Sequence, residues 1–423
     1  MKTPRFVSRR SALVLAVAAA VVGLAGPPEV SAQAPGASAD WTQWRGPSRD
    51  GVVVGFTPPR SWPAQLTKGW SVEVGLGYAT PLLVGDRLFM YTRRGDEEVM
   101  AALDAATGRE IWHTGYAAPF EMNSAAARHG RGPKSTPAYA DGKLFTLGMG
   151  GVVTAFDAAT GRRLWQTPGS VPGPLYATSM SPLVDGDAVI VHVGSHDDGA
   201  LTAFEVNTGT VKWRWTGDGP AYGSPIAVDV AGVRQIVVFT QKNLVGVAAA
   251  TGELLWQRPF TTRSTQNTIT PIVYGDLLIV SGLDNPVMAL RLTRRASQWS
   301  VETVWENADL PMYMTNAVIV GDAVMGMTHR NLGQLFLIDA KTGVTRWTGA
   351  GRLATNAAIQ RAGDVVFVLK DDAELLVGRA DPSGFEVLRQ YAVADSSTWA
   401  APLLAGNRLF VKDESRLTLW TFE

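Results

Sequence analysis

The residues of this 423-residue sequence with the most chemical capacity are four histidines and the carboxylates near them. Imidazole binds metals when neutral and anions when protonated, and carboxylate oxygens bind hard cations such as Ca²⁺. The histidines are far apart in sequence and show no diagnostic metal spacing, so they form a metal or anion site only if the fold brings them together. The set consists of His129, His192, His196 and His329 with Asp197, Asp198 or Asp284.

Each of these side chains also has a simpler interpretation. Loops are generally polar, and a charged cluster in a loop is usually just solvated. His192 would then face a neighbouring strand, and Asp197 and Asp198 would shape a turn. The two interpretations differ in whether the side chains converge.

A second candidate is the basic connection between His113 and Ser135. Its cations suit a carboxylate, sulfate or phosphate group, whereas its glycines do not form a nucleotide-binding fingerprint because no helix is expected to follow. The alternative is a lid that packs over the neighbouring surface. The polar residues of this connection are Asn123, Arg128, His129, Arg131 and Lys134.

Further loops contribute polar and aromatic side chains to the candidate site. Aromatic rings in loops could stack on sugar rings, or they could equally line the core. The residues concerned are Tyr222, Lys242, Asn243, Tyr313, Arg330, Asn331 and Trp399.

Composition excludes several classes of function. The 38 basic and 38 acidic side chains give a formal net charge of zero, which provides no long-range field for nucleic acid or an anionic membrane surface. The absence of cysteine excludes a disulfide, a cysteine-ligated metal, a cysteine nucleophile and a lipidated cysteine. The sequence also contains no nucleophile elbow, zinc-protease motif or phosphate loop, and we assign no catalytic residue.

The N-terminus has the three-part pattern of a secretory signal peptide over residues 1–32. Basic residues precede an apolar run from Ala12 to Ala25, which is too short to span a bilayer comfortably, and small residues end at Ala32. Arg9 and Arg10 also resemble a twin-arginine signal. We therefore expect an exported protein, periplasmic or extracellular, with no later membrane span.

A repeated unit organises the chain after residue 70. Each unit opens with a small residue followed by proline or asparagine, continues through apolar strands, and in most units closes with a Thr-Gly turn and a tryptophan. The opening dipeptides are Thr80-Pro81, Thr136-Pro137, Ser181-Pro182, Ser224-Pro225, Thr270-Pro271, Thr315-Asn316, Thr355-Asn356 and Ala401-Pro402. The closing residues are Trp70, Trp112, Trp165, Trp213, Trp256, Trp305 and Trp347, with Leu388 where the eighth would fall.

The offset between the two series predicts a closed ring. Trp70 precedes the first opening dipeptide and no tryptophan of the series follows the last one, so the strand around Trp70 completes the final unit. Closure leaves no unpaired outer repeat. We therefore predict an all-β fold, an eight-bladed β-propeller of four-stranded blades over residues 70–423. Residues 33–69 form an N-terminal arm whose Trp41 and Trp44 anchor against the propeller wall.

The repeated residues have structural roles in this interpretation. Proline lacks a ladder donor and marks the start of the innermost strand. The glycine of Thr-Gly supplies the positive φ of a tight turn, and the following tryptophan packs between adjacent blades.

The segments at 102–112, ALDAATGREIW, and 155–165, AFDAATGRRLW, resemble the tryptophan-docking motif of pyrroloquinoline-quinone-like (PQQ-like) propeller repeats. That family contains quinoprotein alcohol dehydrogenases and the non-catalytic outer membrane protein assembly factor BamB. The resemblance implies, for a dehydrogenase, a quinone, a calcium bound by Glu, Asn and Asp, a catalytic Asp and commonly a disulfide of adjacent cysteines. The disulfide is impossible here, as is the lipid-bearing cysteine of the assembly factor.

These observations favour a non-catalytic scaffold. We predict a monomeric propeller that binds a protein or small-molecule ligand on a loop face. This face combines the loops between second and third strands with the connections between blades, and neither nucleic acid nor a firmly assigned cofactor is expected. The alternative is an oxidoreductase or other enzyme that uses PQQ with calcium, or another metal, in the central channel.

Overall fold

Short apolar segments joined by tight turns fold into antiparallel hairpins around a ring. The structure, a computed structural model, describes residues 1–2, 40–169, 173–381 and 383–423. In these ranges thirty-two strands form eight four-stranded sheets, which confirms the predicted eight-bladed propeller. Apart from Met1 and Lys2, the predicted signal peptide lies outside the described residues.

Blades 1 to 4 are simple meanders in which each strand pairs with the next along the chain. They follow strand β1 (Thr67–Glu73). Their strands are β2 (Leu82–Val84), β3 (Arg87–Arg94), β4 (Glu97–Asp104) and β5 (Glu110–Ala117); β6 (Ala138–Ala140), β7 (Lys143–Leu147), β8 (Val153–Asp157) and β9 (Arg163–Gln166); β10 (Leu183–Asp185), β11 (Ala188–Gly194), β12 (Gly199–Glu205) and β13 (Val211–Trp215); and β14 (Ile226–Val230), β15 (Val233–Phe239), β16 (Asn243–Ala248) and β17 (Leu254–Pro259).

Blades 5 to 7 repeat this order, and blade 8 borrows β1 as its outermost strand. The strands are β18 (Ile272–Tyr274), β19 (Leu277–Gly282), β20 (Asn285–Arg295) and β21 (Gln298–Asn307); β22 (Val318–Val320), β23 (Ala323–Thr328), β24 (Gln334–Asp339) and β25 (Thr345–Thr348); β26 (Ala357–Ala362), β27 (Val365–Lys370), β28 (Glu374–Asp381) and β29 (Gly384–Ala392); and β30 (Leu403–Ala405), β31 (Arg408–Lys412) and β32 (Arg416–Thr421).

The pairing of β1 with β32 closes the ring as predicted. The two strands are antiparallel, with Val72 opposite Leu417 and Glu73 opposite Arg416. Among the described residues, the largest buried apolar cluster lies around this closure and joins blades 7, 8, 1 and 2 with the N-terminal arm. The helical elements of the described ranges are short 3-10 turns at Ser124–His129, Arg263–Thr265 and Arg330–Leu332, and none of the described helices is long and apolar enough to cross a membrane.

Hydrogen bonds link the opening segments of neighbouring blades at seven of the eight junctions. In most blades the backbone N–H of the opening residue donates to the side-chain oxygen of an opening dipeptide in a neighbouring blade. The hydroxyl that recurs at this position therefore has a structural role, as the proline does. These bonds run from Thr80 N to Thr136 Oγ1 (3.1 Å), Thr136 N to Ser181 Oγ (3.0 Å), Ser181 N to Ser224 Oγ (2.9 Å), Ser224 N to Thr270 Oγ1 (3.3 Å), Thr270 N to Asn316 Oδ1 (2.7 Å), Ala357 N to Thr315 Oγ1 (3.1 Å) and Ala401 N to Thr80 Oγ1 (3.2 Å).

The closing tryptophans dock onto the Thr-Gly turn of the following blade. Gly252 has φ of 72°, and a Cβ at this position would lie 2.5 Å from the ring of Trp213 in the preceding blade. The Trp213 indole N–H donates to Ala249 O at 2.9 Å. Glycine is therefore required both for its backbone conformation and for the space that the indole occupies.

Not every position of the closing series follows this arrangement. Trp256 donates to Gln235 Oε1 in its own blade at 2.7 Å, because the next blade has a long β20–β21 hairpin in place of a Thr-Gly turn. In blade 7, Leu388 is not the equivalent of tryptophan. It is skipped in a β-bulge, and Arg389 stands opposite Val377 in the tryptophan register.

The N-terminal arm crosses the central channel. Trp41 pairs with Leu83 of blade 1, Val53 N donates to Arg361 O of blade 7, and Arg49 donates to Pro182 O of blade 3. Because blades 3 and 7 are opposite in an eight-membered ring, this segment must span the ring centre. It also reaches Gly406, in the turn between the first two strands of blade 8.

Candidate binding chamber in the central channel

The central channel contains a chamber of about 270 Å³ whose walls come mainly from the connections between blades. Trp44 of the arm contributes to it and donates from Nε1 to Thr270 Oγ1 at 3.1 Å. The chamber therefore lies between the arm and the connecting loops. Its lining comprises Trp44, Tyr78, Ala125, Ala126, Arg128, His129, Lys134, Tyr176, Ser179, Tyr222, Ser224, Gln266, Thr268, Thr270, Tyr313, Met314, Asn316, Asn356 and Trp399.

The long basic connection supplies the cations of the chamber. Its 3-10 turn begins at Asn123, whose Oδ1 accepts from Ala125 N at 2.9 Å, and ends with Arg128 and His129. The Arg128 guanidinium lies 5.6 Å from the Trp399 ring centroid, and the His129 ring meets the same indole edge-to-face at 4.4 Å. Asn123 thus has a structural role, and it positions the cations that follow.

Lys134 has few partners for a largely buried ammonium group. Its Nζ donates to Gly130 O at 3.3 Å and lies 3.8 Å from the Met149 sulfur. Burial, followed by repulsion from Arg93, lowers the Lys134 pKa to about 7, although Glu98 opposes this. Burial also lowers the His129 pKa to about 4, with repulsion from Arg128 and Lys134 outweighing attraction by Asp371.

Three tyrosines form an aromatic wall of the chamber. The Tyr176 and Tyr222 rings are 5.9 Å apart and tilted by 44°, and Tyr222 OH accepts from Tyr176 N at 3.2 Å. Tyr313 donates from its hydroxyl to Gln266. Burial raises the pKa of Tyr222 and of Tyr313, so both hydroxyls stay neutral at ordinary pH.

Several chamber residues are absent from the sequence-based prediction. Asn316 and Asn356 stand where other units carry the proline of the opening dipeptide, and this replacement was a visible signal for a polar channel position. Tyr176 and Trp44 had no comparable signal, because only the three-dimensional path of the chain brings them to the channel.

The four candidate histidines are not brought together. His192 is buried in β11, where Nε2 contacts Asp218 O at 2.9 Å, and His196 contacts Gln241 at 3.1 Å. His329 lies 3.3 Å from Asp284, which also pairs with Arg263 at 3.4 Å. Across the described ranges no group of three or more His, Cys, Asp or Glu could hold a metal ion. The hypothesis that the histidines converge with Asp197, Asp198 or Asp284 on one metal ion is therefore wrong for the described residues.

Asp218, which the sequence did not single out, organises one of the predicted loops. It accepts from Thr240 Oγ1 at 2.6 Å, Lys242 N at 2.9 Å and Asn243 Nδ2 at 2.9 Å. Burial alone would raise the pKa of Asp218, but these hydrogen bonds have the larger combined effect, and the pKa is lowered overall. Asn243 and the Lys242 backbone thus shape the loop.

The remaining predicted residues lie apart from the chamber lining. Asp197 and Asp198 are exposed in the β11–β12 loop. Arg330 donates to Asp309 O at 3.1 Å, and Asn331, with φ of 55°, donates to Gln334 at 2.8 Å. The Asn331 contact is local to its loop, whereas the Arg330 contact joins this loop to the connection between β21 and β22.

A quinone with calcium does not fit this donor set. Calcium takes six to eight oxygen ligands, normally including carboxylates. The described lining contains Asn316 and Asn356 but neither Asp nor Glu, and it places Arg128 and Lys134 where a divalent cation would be repelled. The calcium ligands that the resemblance implies are therefore not supplied by this chamber.

Comparison with known proteins gives a long match and a short one. The family model described as outer membrane protein assembly factor BamB matches residues 60–167 and 95–349. The chain is 24% identical to the BamB of Yersinia pestis over 367 residues, covering 82% of this chain and 87% of that protein. It is 30% identical to a quinohemoprotein alcohol dehydrogenase of Pseudomonas putida over 164 residues, but these cover 36% of this chain and 21% of the dehydrogenase.

A solved structure shows the same fold. The crystal structure of BamB from Moraxella catarrhalis superposes with a TM-score of 0.60 at 17% identity, covering 85% of this chain and 98% of that one. At this level of identity the likeness concerns the fold alone.

Proposed function

The chain belongs to the family described as outer membrane protein assembly factor BamB, and from this premise we propose that it is a non-catalytic propeller that binds other proteins through its loop face. The observation that carries the proposal is the long sequence match with an assembly factor, which covers 82% of this chain and 87% of the relative. In sequence, the match to the dehydrogenase covers only about a fifth of the enzyme.

The loop face has the chemistry of a polar interaction surface. Lys242 and Arg330 are exposed there, and the chamber with its aromatic and cationic residues lies among the connections of the same side. Interfaces are enriched in arginine and aromatic residues relative to the rest of a protein surface. The rigid ring beneath them presents these groups with little loss of entropy on binding.

Site-specific photocrosslinking tests this surface. A photoreactive amino acid placed at Lys242 or Arg330 should capture proteins of the outer membrane assembly machinery, identified by mass spectrometry. The matched positions Arg162 and Lys341 are exposed in Thr-Gly turns on the opposite face and should capture none. Equal crosslinking from both faces, or none from the loop face, would contradict the proposal.

The proposed location is the periplasm, with the mature propeller a monomer. Replacing Arg9 and Arg10 with lysine should leave precursor in the cytoplasm if export uses the twin-arginine route, and cell fractionation measures this. Unchanged export would exclude the twin-arginine route and indicate export by the general secretory route.

A further inference from the structure

The described lining of the chamber has cations without acids to pair with them. Loops elsewhere pair acids with bases, as Asp284 does with Arg263 and His329. The described residues that line the chamber include two cations, Arg128 and Lys134, and no acid.

Of the two cations, Lys134 gives the stronger evidence for an anion in the chamber. Taking an ammonium group out of water is costly unless it gains charged or hydrogen-bonding partners. Its three N–H groups have one long bond, to Gly130 O, and a thioether contact. An anion in the chamber would supply the strong acceptor that Lys134 lacks within the protein.

The aromatic surface open to a ligand is the tyrosine wall. The Trp399 ring already receives the Arg128 guanidinium and the edge of His129. Tyr176 and Tyr222 are tilted by 44°, an arrangement into which a further ring fits edge-to-face or offset. With a volume of about 270 Å³, the chamber is at the small end of ligand sites, which suits a single ring.

The arm determines how such a ligand enters. Arg45 and Arg49 follow the chamber residue Trp44 in the arm and are buried. They donate to Ala317 O and Pro182 O, which belong to different sides of the ring. A chain could not pass straight through the channel past these bonds. The ligand group must therefore enter and leave from the loop side, as the end of a molecule does.

We infer that the chamber binds a group that combines a carboxylate with one flat aromatic ring, the carboxylate against Lys134 and Arg128 and the ring against Tyr176, Tyr222 and Tyr313. The inference rests on the proposed function in taking the chamber as a binding site. Two sources share this chemistry, a free aromatic acid and the C-terminal aromatic residue of a partner protein.

Calorimetric titration of the purified full chain with matched probes tests the inference. Phenylacetate carries both the ring and the charge, phenylacetamide only the ring, and acetate only the charge. Phenylacetate should bind about tenfold or more tighter than either, since a charge-assisted hydrogen bond contributes that much to affinity. Equal binding of phenylacetamide, preferential binding of a neutral sugar such as maltose, or no binding of phenylacetate at millimolar concentration would overturn it.

Variants assign the effect to the chamber. Lys134→Met should remove the preference for phenylacetate over phenylacetamide while retaining the binding of phenylacetamide, and the matched Lys242→Met, an exposed lysine outside the lining, should retain the preference. Arg128→Gln provides a second test, because Arg128 is exposed and its removal leaves the core intact. An undiminished preference in both chamber variants would overturn the assignment.

A peptide distinguishes the two sources. If acetyl-Gly-Gly-Phe with a free carboxylate binds about tenfold tighter than phenylacetate, and its amide does not, the ligand is a protein chain end. If phenylacetate binds at least as tightly as the peptide, the ligand is a free acid. These titrations need no partner protein, and the crosslinking positions lie outside the chamber, so either proposal can fail while the other stands.

Discussion

At the residue scale, the hydroxyls of most opening dipeptides each accept one buried backbone hydrogen bond from a neighbouring blade. We expect Ser181→Ala to lower the free energy of unfolding by about 1–3 kcal/mol, because it leaves the buried Thr136 N–H without its acceptor. Denaturant titration measures the loss. The exposed Ser297→Ala should change stability by less than about 0.5 kcal/mol. Similar effects of both substitutions would show that these hydrogen bonds add little.

Lys134 should make anion binding in the chamber dependent on pH. Because burial lowers its pKa to about 7, the ammonium is charged below that pH and neutral above it, whereas a ligand carboxylate is ionised throughout. Phenylacetate affinity should therefore fall as the pH rises from 6 to 8. The groups acting on Lys134 are Arg93, Glu98 and His129, and His129, with its pKa of about 4, stays neutral over this range.

The matched variant for this pH dependence is Lys134→Arg, whose guanidinium stays charged across the range. Its phenylacetate affinity should be nearly constant between pH 6 and 8 in calorimetric titrations. A slope equal to that of the unmodified chain would assign the pH dependence to another group.

The residues of the chamber could be predicted only in part. Arg128, Lys134, Tyr222 and Tyr313 fall on between-blade connections that the repeat itself locates. Trp44 is 26 residues before the first repeated tryptophan, and its position follows from pairing of the arm with distant strands. The predicted histidine site was wrong because residues on the same face of the propeller need not lie close together. His192, for example, is directed to the backbone oxygen of Asp218.

At the element scale, each outermost strand contains a β-bulge just before its docking residue. The register shifts between Ala203 and Phe204 opposite Trp213, and the same shift recurs in every blade. A bulge re-aims the side chain that follows it, here into the space beside the next blade. The repeat spacing located the tryptophans but could not show the extra residue, which is why Leu388 was aligned one position too early.

Truncating a docking residue should be costly only where the indole is buried. Trp213→Ala should lower the free energy of unfolding by about 3–5 kcal/mol, because it removes a buried ring and its bond to Ala249 O. Arg389 occupies the equivalent register in blade 7 but is exposed. Arg389→Ala should therefore change stability by less than about 0.5 kcal/mol in thermal or denaturant unfolding. A comparable loss in both would mean that the register position itself matters more than the buried ring.

At the scale of the whole molecule, two separate segments of the N-terminal region hold the ring together. The arm fastens the innermost strands across the channel, while β1 completes the last blade from outside. The sequence predicted the closing strand because a displaced tryptophan series requires one. It could not predict the crossing, because buried Arg45 and Arg49 bind backbone carbonyls and leave no pattern of complementary residues.

The contribution of β1 can be separated from that of the arm by circular permutation. Thr67 Oγ1 donates to Glu423 O at 2.9 Å, so a short glycine-containing turn can join the end of the chain to β1. We expect residues 74–423 followed by this turn and residues 67–73 to unfold cooperatively as a monomer. Residues 74–423 alone, which equally lack the arm, should melt at lower temperature and aggregate, because β32 becomes an open edge and Gly108 loses the docked Trp70. Equal melting temperatures and equal monomer fractions, measured by circular dichroism and light scattering, would show that the ring does not depend on the strand that closes it.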